Sequence, residues 1–119
     1  MEKGTVMSFN STSIRATWDT LRSLPSASIV VGYTSIGTAL TKVGRIVHIL
    51  NTTDAALMFS WDGRSDHFVL PAGGYMVIDL TTNQSGSDGF FLPVGSRLYV
   101  KQIGAPSTGS VYFSLVFSI

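Results

Sequence analysis

The chain has no cysteine, and a single glutamate, Glu2, among its seven acidic residues. It is short of charge of either sign: 13% of its 119 residues are Asp, Glu, Lys or Arg, against 45% hydrophobic residues. Each shortage excludes something. Without thiols there is no disulfide framework and no thiolate metal site, and the redox compartment stays open. With no glutamate after Glu2, a carboxylate pair for glycoside chemistry would have to come from aspartates scattered over turns. A net charge of +1 gives no broad attraction for nucleic acid or an anionic membrane. No stretch is apolar for the roughly 20 residues that a membrane helix needs. Soluble domains usually carry about a quarter charged residues, placed where they meet water. Eight Lys and Arg with seven Asp and Glu coat a free monomer of this size poorly. The shortage points to a surface covered by other protein chains.

What is present reads as β-structure. Residues 1–25 are mixed, and Ile14, Trp18, Leu21 and Leu24 stand at helical spacing while Ile14, Ala16 and Trp18 also alternate. Pro25 disfavours helix at Leu24, so an extended arm or a short helical turn is expected over 1–25. From residue 26 to 119 short apolar segments alternate with Gly, Pro, Asn and Asp turns. Strands are expected in Ser28–Tyr33, Gly44–Leu50, Ala55–Trp61, His67–Leu70, Tyr75–Leu80, Arg97–Ile103 and Ser110–Ile119. The last of these is apolar at Val111, Phe113, Leu115, Phe117 and Ile119, with Tyr112, Ser114, Val116 and Ser118 on its other face. Asp62-Gly63-Arg64-Ser65 is a turn, because Asp-Gly tolerates positive φ. The fold class is therefore all-β: an antiparallel β-sandwich, jelly-roll-like, over 26–119, with an extended N-terminal arm over 1–25. The arm residues Ile14, Trp18, Leu21 and Leu24 are the candidate interface.

Chemistry finds little support. His48 lies mid-strand beside Ile46 and Leu50, which suits a core or interface histidine. Asp62, Asp66 and His67 could supply metal ligands only if their hairpin folded favourably, and a site needs three or four convergent groups. There is no Gly-x-Ser-x-Gly elbow, no Walker loop and no dinucleotide fingerprint. No catalytic, cofactor-binding or metal residue is assigned, no cofactor is expected, and the chain is not expected to be an enzyme. Basic residues are spread singly, which argues against nucleic acid although Arg97, Tyr99 and Lys101 share a strand face. Trp61, Tyr75 and Phe90-Phe91 offer rings that a sugar could stack on, so a peripheral receptor- or glycan-binding module is the alternative reading. The sequons at Asn10, Asn51 and Asn83 come without the basic-then-apolar start of a secretion signal, and chance accounts for them. A protein used in the cytoplasm, or released by lysis, is expected.

One succession of motifs looks like a known group. Trp18-Asp19-Thr20-Leu21-Arg22-Ser23-Leu24, Tyr33-Thr34-Ser35-Ile36-Gly37-Thr38, Asn51-Thr52-Thr53-Asp54, Phe59-Ser60-Trp61-Asp62-Gly63 and Leu70-Pro71-Ala72-Gly73-Gly74 follow one another between residues 13 and 82. In that order they resemble small virion structural proteins of tailed bacteriophages. The resemblance implies a capsid decoration (cement) subunit, a neck or tail accessory subunit, or a fibre adaptor. It implies a homo-oligomer, with a trimer as one suitable state, in contact with other virion proteins after assembly in the host cytoplasm. It carries over no enzymatic residue.

Overall fold

The computed structural model describes residues 16–80 and 92–118. Among them are nine strands: β1 (Ala16–Trp18), β2 (Arg22–Pro25), β3 (Thr34–Ser35), β4 (Gly44–Asn51), β5 (Leu57–Ser60), β6 (Phe68–Leu70), β7 (Tyr75–Asp79), β8 (Tyr99–Gln102) and β9 (Ser110–Ser118). One short 3-10 turn, Ser26–Ser28, follows β2. The strands form two antiparallel sheets packed on one another, an all-β sandwich. Sheet A runs β7-β4-β9, and β1 and β2 both pair with the far side of β9. Sheet B runs β3-β8-β5-β6.

Alternation along the strands builds the core. Val111, Phe113 and Leu115 of β9 and Val47 and Ile49 of β4 face inward from sheet A. Leu57 and Phe59 of β5, Val100 of β8 and Leu70 of β6 meet them from sheet B. Phe59 and Phe68 stack at 5.1 Å, and Trp61 sets its ring edge on Phe113 at 5.9 Å. Each buried side chain of this size contributes about 1.5–3 kcal/mol by leaving water.

The run Ser28–Tyr33, expected as a strand, is instead a connection. Pro25 ends β2, the 3-10 turn redirects the chain, and it crosses from the edge of sheet A to that of sheet B. Ile29 is buried in the core, whereas Val30 and Val31 are exposed. The Gln102 N–H donates to the Val30 carbonyl, and β3 begins only at Thr34.

Residues 16–25, assigned from sequence to the arm, lie along β9 as one edge of sheet A. Trp18 pairs with Val116, but Arg22 pairs with Phe113, so the edge carries one residue more than β9 between those points. Such a bulge reverses the alternation that follows it. Trp18 therefore points away from the sandwich beside Val116, while Arg22 and Leu24 point inward beside Phe113 and Val111. Residues 1–15, including Ile14 and Asn10, and residues 81–91, including Asn83, Phe90 and Phe91, lie outside the described residues.

Candidate functional site

Three polar clusters fix the connections between the sheets. Arg22, turned inward by the bulge, is 8% exposed and reaches four acceptors. Its Nε donates to the Thr38 carbonyl at 2.8 Å and Nη2 to the Ala39 carbonyl at 3.3 Å. Nη1 donates to the Thr20 carbonyl at 3.2 Å and to the Asp19 carboxylate at 2.9 Å. Burial pushes the Asp19 carboxyl upward. The Arg22 hydrogen bond and charge, with a backbone hydrogen bond at Thr20, outweigh it and hold the group below its ordinary value. Gly37, with φ of +70°, lies flat against the Arg22 stem, where a Cβ would come within 2.9 Å.

Asn51 ends β4 and is fully buried. Its amide donates to the carbonyls of Ala55, Leu70 and Pro71, and its Oδ1 accepts from the Thr53 N–H and hydroxyl. A glycosylation acceptor must be exposed, so the sequon at Asn51 is closed by the fold. Asp54 then ties this corner to the β8–β9 loop, accepting from the Ser107 hydroxyl and N–H and from the Thr108 N–H. The Ser107 hydroxyl and N–H lower its pKa to about 2.

The group Asp62, Asp66 and His67 does not converge. The Asp62 carboxylate closes its own turn, accepting from the Arg64 and Ser65 N–H groups and the Ser60 hydroxyl, and the Ser65 and Arg64 N–H groups chiefly lower its pKa. Asp66 accepts from the Tyr33 hydroxyl at 2.6 Å and pairs with Lys101 at 3.0 Å. The His67 Nδ1 accepts the Trp61 N–H at 2.9 Å. Among the described residues no cluster of His, Asp or Glu could hold a metal ion, and no helix is long and apolar enough to cross a membrane. Burial, then the Asp66 hydrogen bond, pushes the Tyr33 phenol above its ordinary range. Lys101 also sits over the Tyr33 ring, 4.8 Å from its centre.

The outer faces of the two sheets differ in kind. Sheet B presents Val69, Met58 and Lys101 in register, with Asp66 and Tyr33 around the lysine and Arg97 beyond. Sheet A presents three rows that run across its strands. The first is Tyr75, Leu50, Tyr112 and Ser23; the second is Val77, His48 and Ser114; the third is Asp79, Ile46, Val116 and Trp18. Among these register positions only Asp79 carries a formal charge. Tyr75 is 67% exposed, Trp18 64% and Val77 56%. The imidazole of His48 leans on Tyr75 with ring centres 6.1 Å apart. A charge-poor sheet face of this extent on a water-exposed surface is the signature of a contact site.

Of the four residues proposed for the interface from spacing, Trp18 lies on this face and Leu21 is exposed at the bulge. Leu24 packs against the core of its own chain, and Ile14 lies outside the described residues. Spacing in the arm does not single out Ile46, Leu50, Val77, Tyr112 or Val116. The signal for them is that β4, β7 and β9 read apolar on both faces, where a sandwich strand with one wet face alternates. Compared with known families, curated proteins and solved structures, the chain matches no family model, no curated protein and no solved structure.

Proposed function

We propose that the protein is a non-enzymatic structural subunit of a tailed-phage virion, a capsid decoration (cement) or a neck or tail accessory subunit. It acts by contact with copies of itself and with other virion proteins, and it joins the particle in the host cytoplasm. The observation that carries the reading is the outer face of sheet A, whose apolar side chains need a protein cover. The strand order supports it. With β1 and β2 counted as one edge, the two sheets follow the order of an eight-stranded double Greek key, an architecture used by capsid and lectin domains. The phage assignment rests on the motif succession from Trp18 to Gly74. The glycan-binding alternative leans on Trp61, which is half-buried against Phe68 and Phe113 and serves packing.

The test is composition. Particles banded by density from lysates of producing cells are digested and quantified by mass spectrometry. The chain should be present in a fixed copy number relative to the major capsid protein. Its absence from banded particles, with free protein in the supernatant, would overturn the reading.

A further inference from the structure

The geometry points to a second copy of this chain as the occupant of the outer face of sheet A, packed sheet on sheet about a two-fold axis. This deepens the structural-subunit reading and rests on it. Three observations support that occupant.

The first is chemical. The face has no Lys or Arg at its register positions, and the lone Arg45 stands at the bulge at its margin, so it presents no cluster of cations for phosphate, an anionic lipid or an acidic peptide. It is a sheet surface rather than a groove, and a sheet surface packs well against another about 10 Å away. The second is size. With four strand positions about 4.8 Å apart and three rows about 6.8 Å apart, the face covers roughly 400 Å² before side-chain relief is counted. Two such faces project about 800 Å², and the relief of the side chains brings the accessible area to roughly the 1,000 Å² that a specific interface requires.

The third is self-complementarity. A two-fold axis in the plane of the face, crossing the strands at the middle row, lays each strand antiparallel on its own copy. The first row then meets the third. Leu50 comes over Ile46, Tyr112 over Val116, and the large Trp18 over the small Ser23. Tyr75 comes over Asp79, where a phenol can donate to the carboxylate. Val77, His48 and Ser114 meet their own copies on the axis. Such an isologous contact uses one patch twice and closes on itself.

The chain has no cysteine, so one introduced thiol reports on one place. Ser114→Cys, on the axis, should be joined into a covalent dimer by a short bis-maleimide. Val69→Cys, on the outer face of sheet B, should not. Val77→Lys sets two ammonium groups against each other and should weaken self-association about tenfold or more in sedimentation equilibrium, as loss of an interface anchor does. Val69→Lys should leave association unchanged, and thermal melts should show all variants folded. If wild-type protein associates but Val77→Lys associates equally well, or Ser114→Cys stays uncrosslinked, the two-fold contact is wrong while the virion reading stands. If wild-type protein is monomeric at its highest soluble concentration, this contact is overturned. The particle composition then decides the virion reading separately.

Discussion

Replacing Arg22 by methionine should be among the costliest single changes to this domain, although the residue is polar and lies on an edge strand. Methionine keeps most of the stem that packs on Gly37 and removes the guanidinium alone. Four donated hydrogen bonds disappear, one of them to a carboxylate. The Asp19 side chain is only 13% exposed and would keep its charge without its partner. Removing one member of a buried pair typically costs about 3–5 kcal/mol, because the other is left desolvated. Thr38 is exposed, so its carbonyl can recover water and the lower end, about 3 kcal/mol, is expected. Against a total of about 5–15 kcal/mol for a domain, that is a large share. Urea unfolding of wild type, Arg22→Met, Asp19→Asn and the double variant forms a complete cycle. The double variant should be less damaged than the sum of the singles, since removing both charges removes the orphan. A loss below about 1 kcal/mol for Arg22→Met at unchanged m-value would refute the claim that the bulge delivers a clamp.

Asn51→Asp would face its carboxylate with the carbonyls of Ala55, Leu70 and Pro71. Its folded pKa would rise above the unfolded value of about 3.9, so stability kept below that pH is lost as pH rises, by about 3 kcal/mol or more at neutrality; thermal melts at pH 4 and 7 that shift equally would contradict this. Gly109→Ala should cost about 2–4 kcal/mol, because φ is +83° and a Cβ would lie 2.3 Å from the Thr52 carbonyl oxygen. Gly73→Ala has φ of +75° but nothing within 4 Å, so chemical denaturation should find only about 1 kcal/mol there. The Asp54 pKa, lowered to about 2 by Ser107, means that its contribution is present above the ordinary carboxylate pKa near 3.9 and lost as pH falls toward about 2. Asp54→Asn should flatten the pH dependence of stability in that window, and an unchanged acid limb would count against the assignment.

The sequence makes the sandwich legible wherever one face is wet or a strand is long. β9 shows its inward set, Val111, Phe113 and Leu115, by strict alternation, and the Asp62-Gly63 turn appears where the dipeptide requires it. It is least legible at the edge of sheet A. Trp18, Leu21 and Leu24 look helical in spacing because one extra residue shifts the phase of a strand. Two alternations joined by a bulge imitate a period between 2 and 3.6. The inward turn of Arg22 was hidden for the same reason, since its acceptors on Thr38 and Ala39 are backbone atoms that leave no side-chain signature. Ser28–Tyr33 misleads differently. Its branched residues suit a strand, yet Pro25 and the 3-10 turn spend the segment on crossing between sheets.

The shortage of charge acquires a location once the two outer faces are compared. Asp62, Arg64, Asp66, Arg97 and Lys101 gather on sheet B and its loops, where they hold turns and one another. Asp19 and Arg22 are drawn inward, and Asp54 is turned onto the β8–β9 loop. Among the described residues, the three outer rows of sheet A carry one charge, Asp79, with Arg45 at the bulge of β4 at their margin. Random thinning would have left both faces equally sparse. Solubility alone would place charge on an exposed apolar surface, yet the rows of this one carry Asp79 alone. A persistent protein neighbour on that face removes the conflict, because strands there are then selected for contact on both sides. The same logic explains why the outer face of sheet A holds Ile46 and Leu50 of β4 and Tyr112 and Val116 of β9, where β8 of sheet B holds Tyr99 and Lys101. It also makes Val77→Lys the more informative surface change than any substitution in the arm, since Val77 can be charged without disturbing the core.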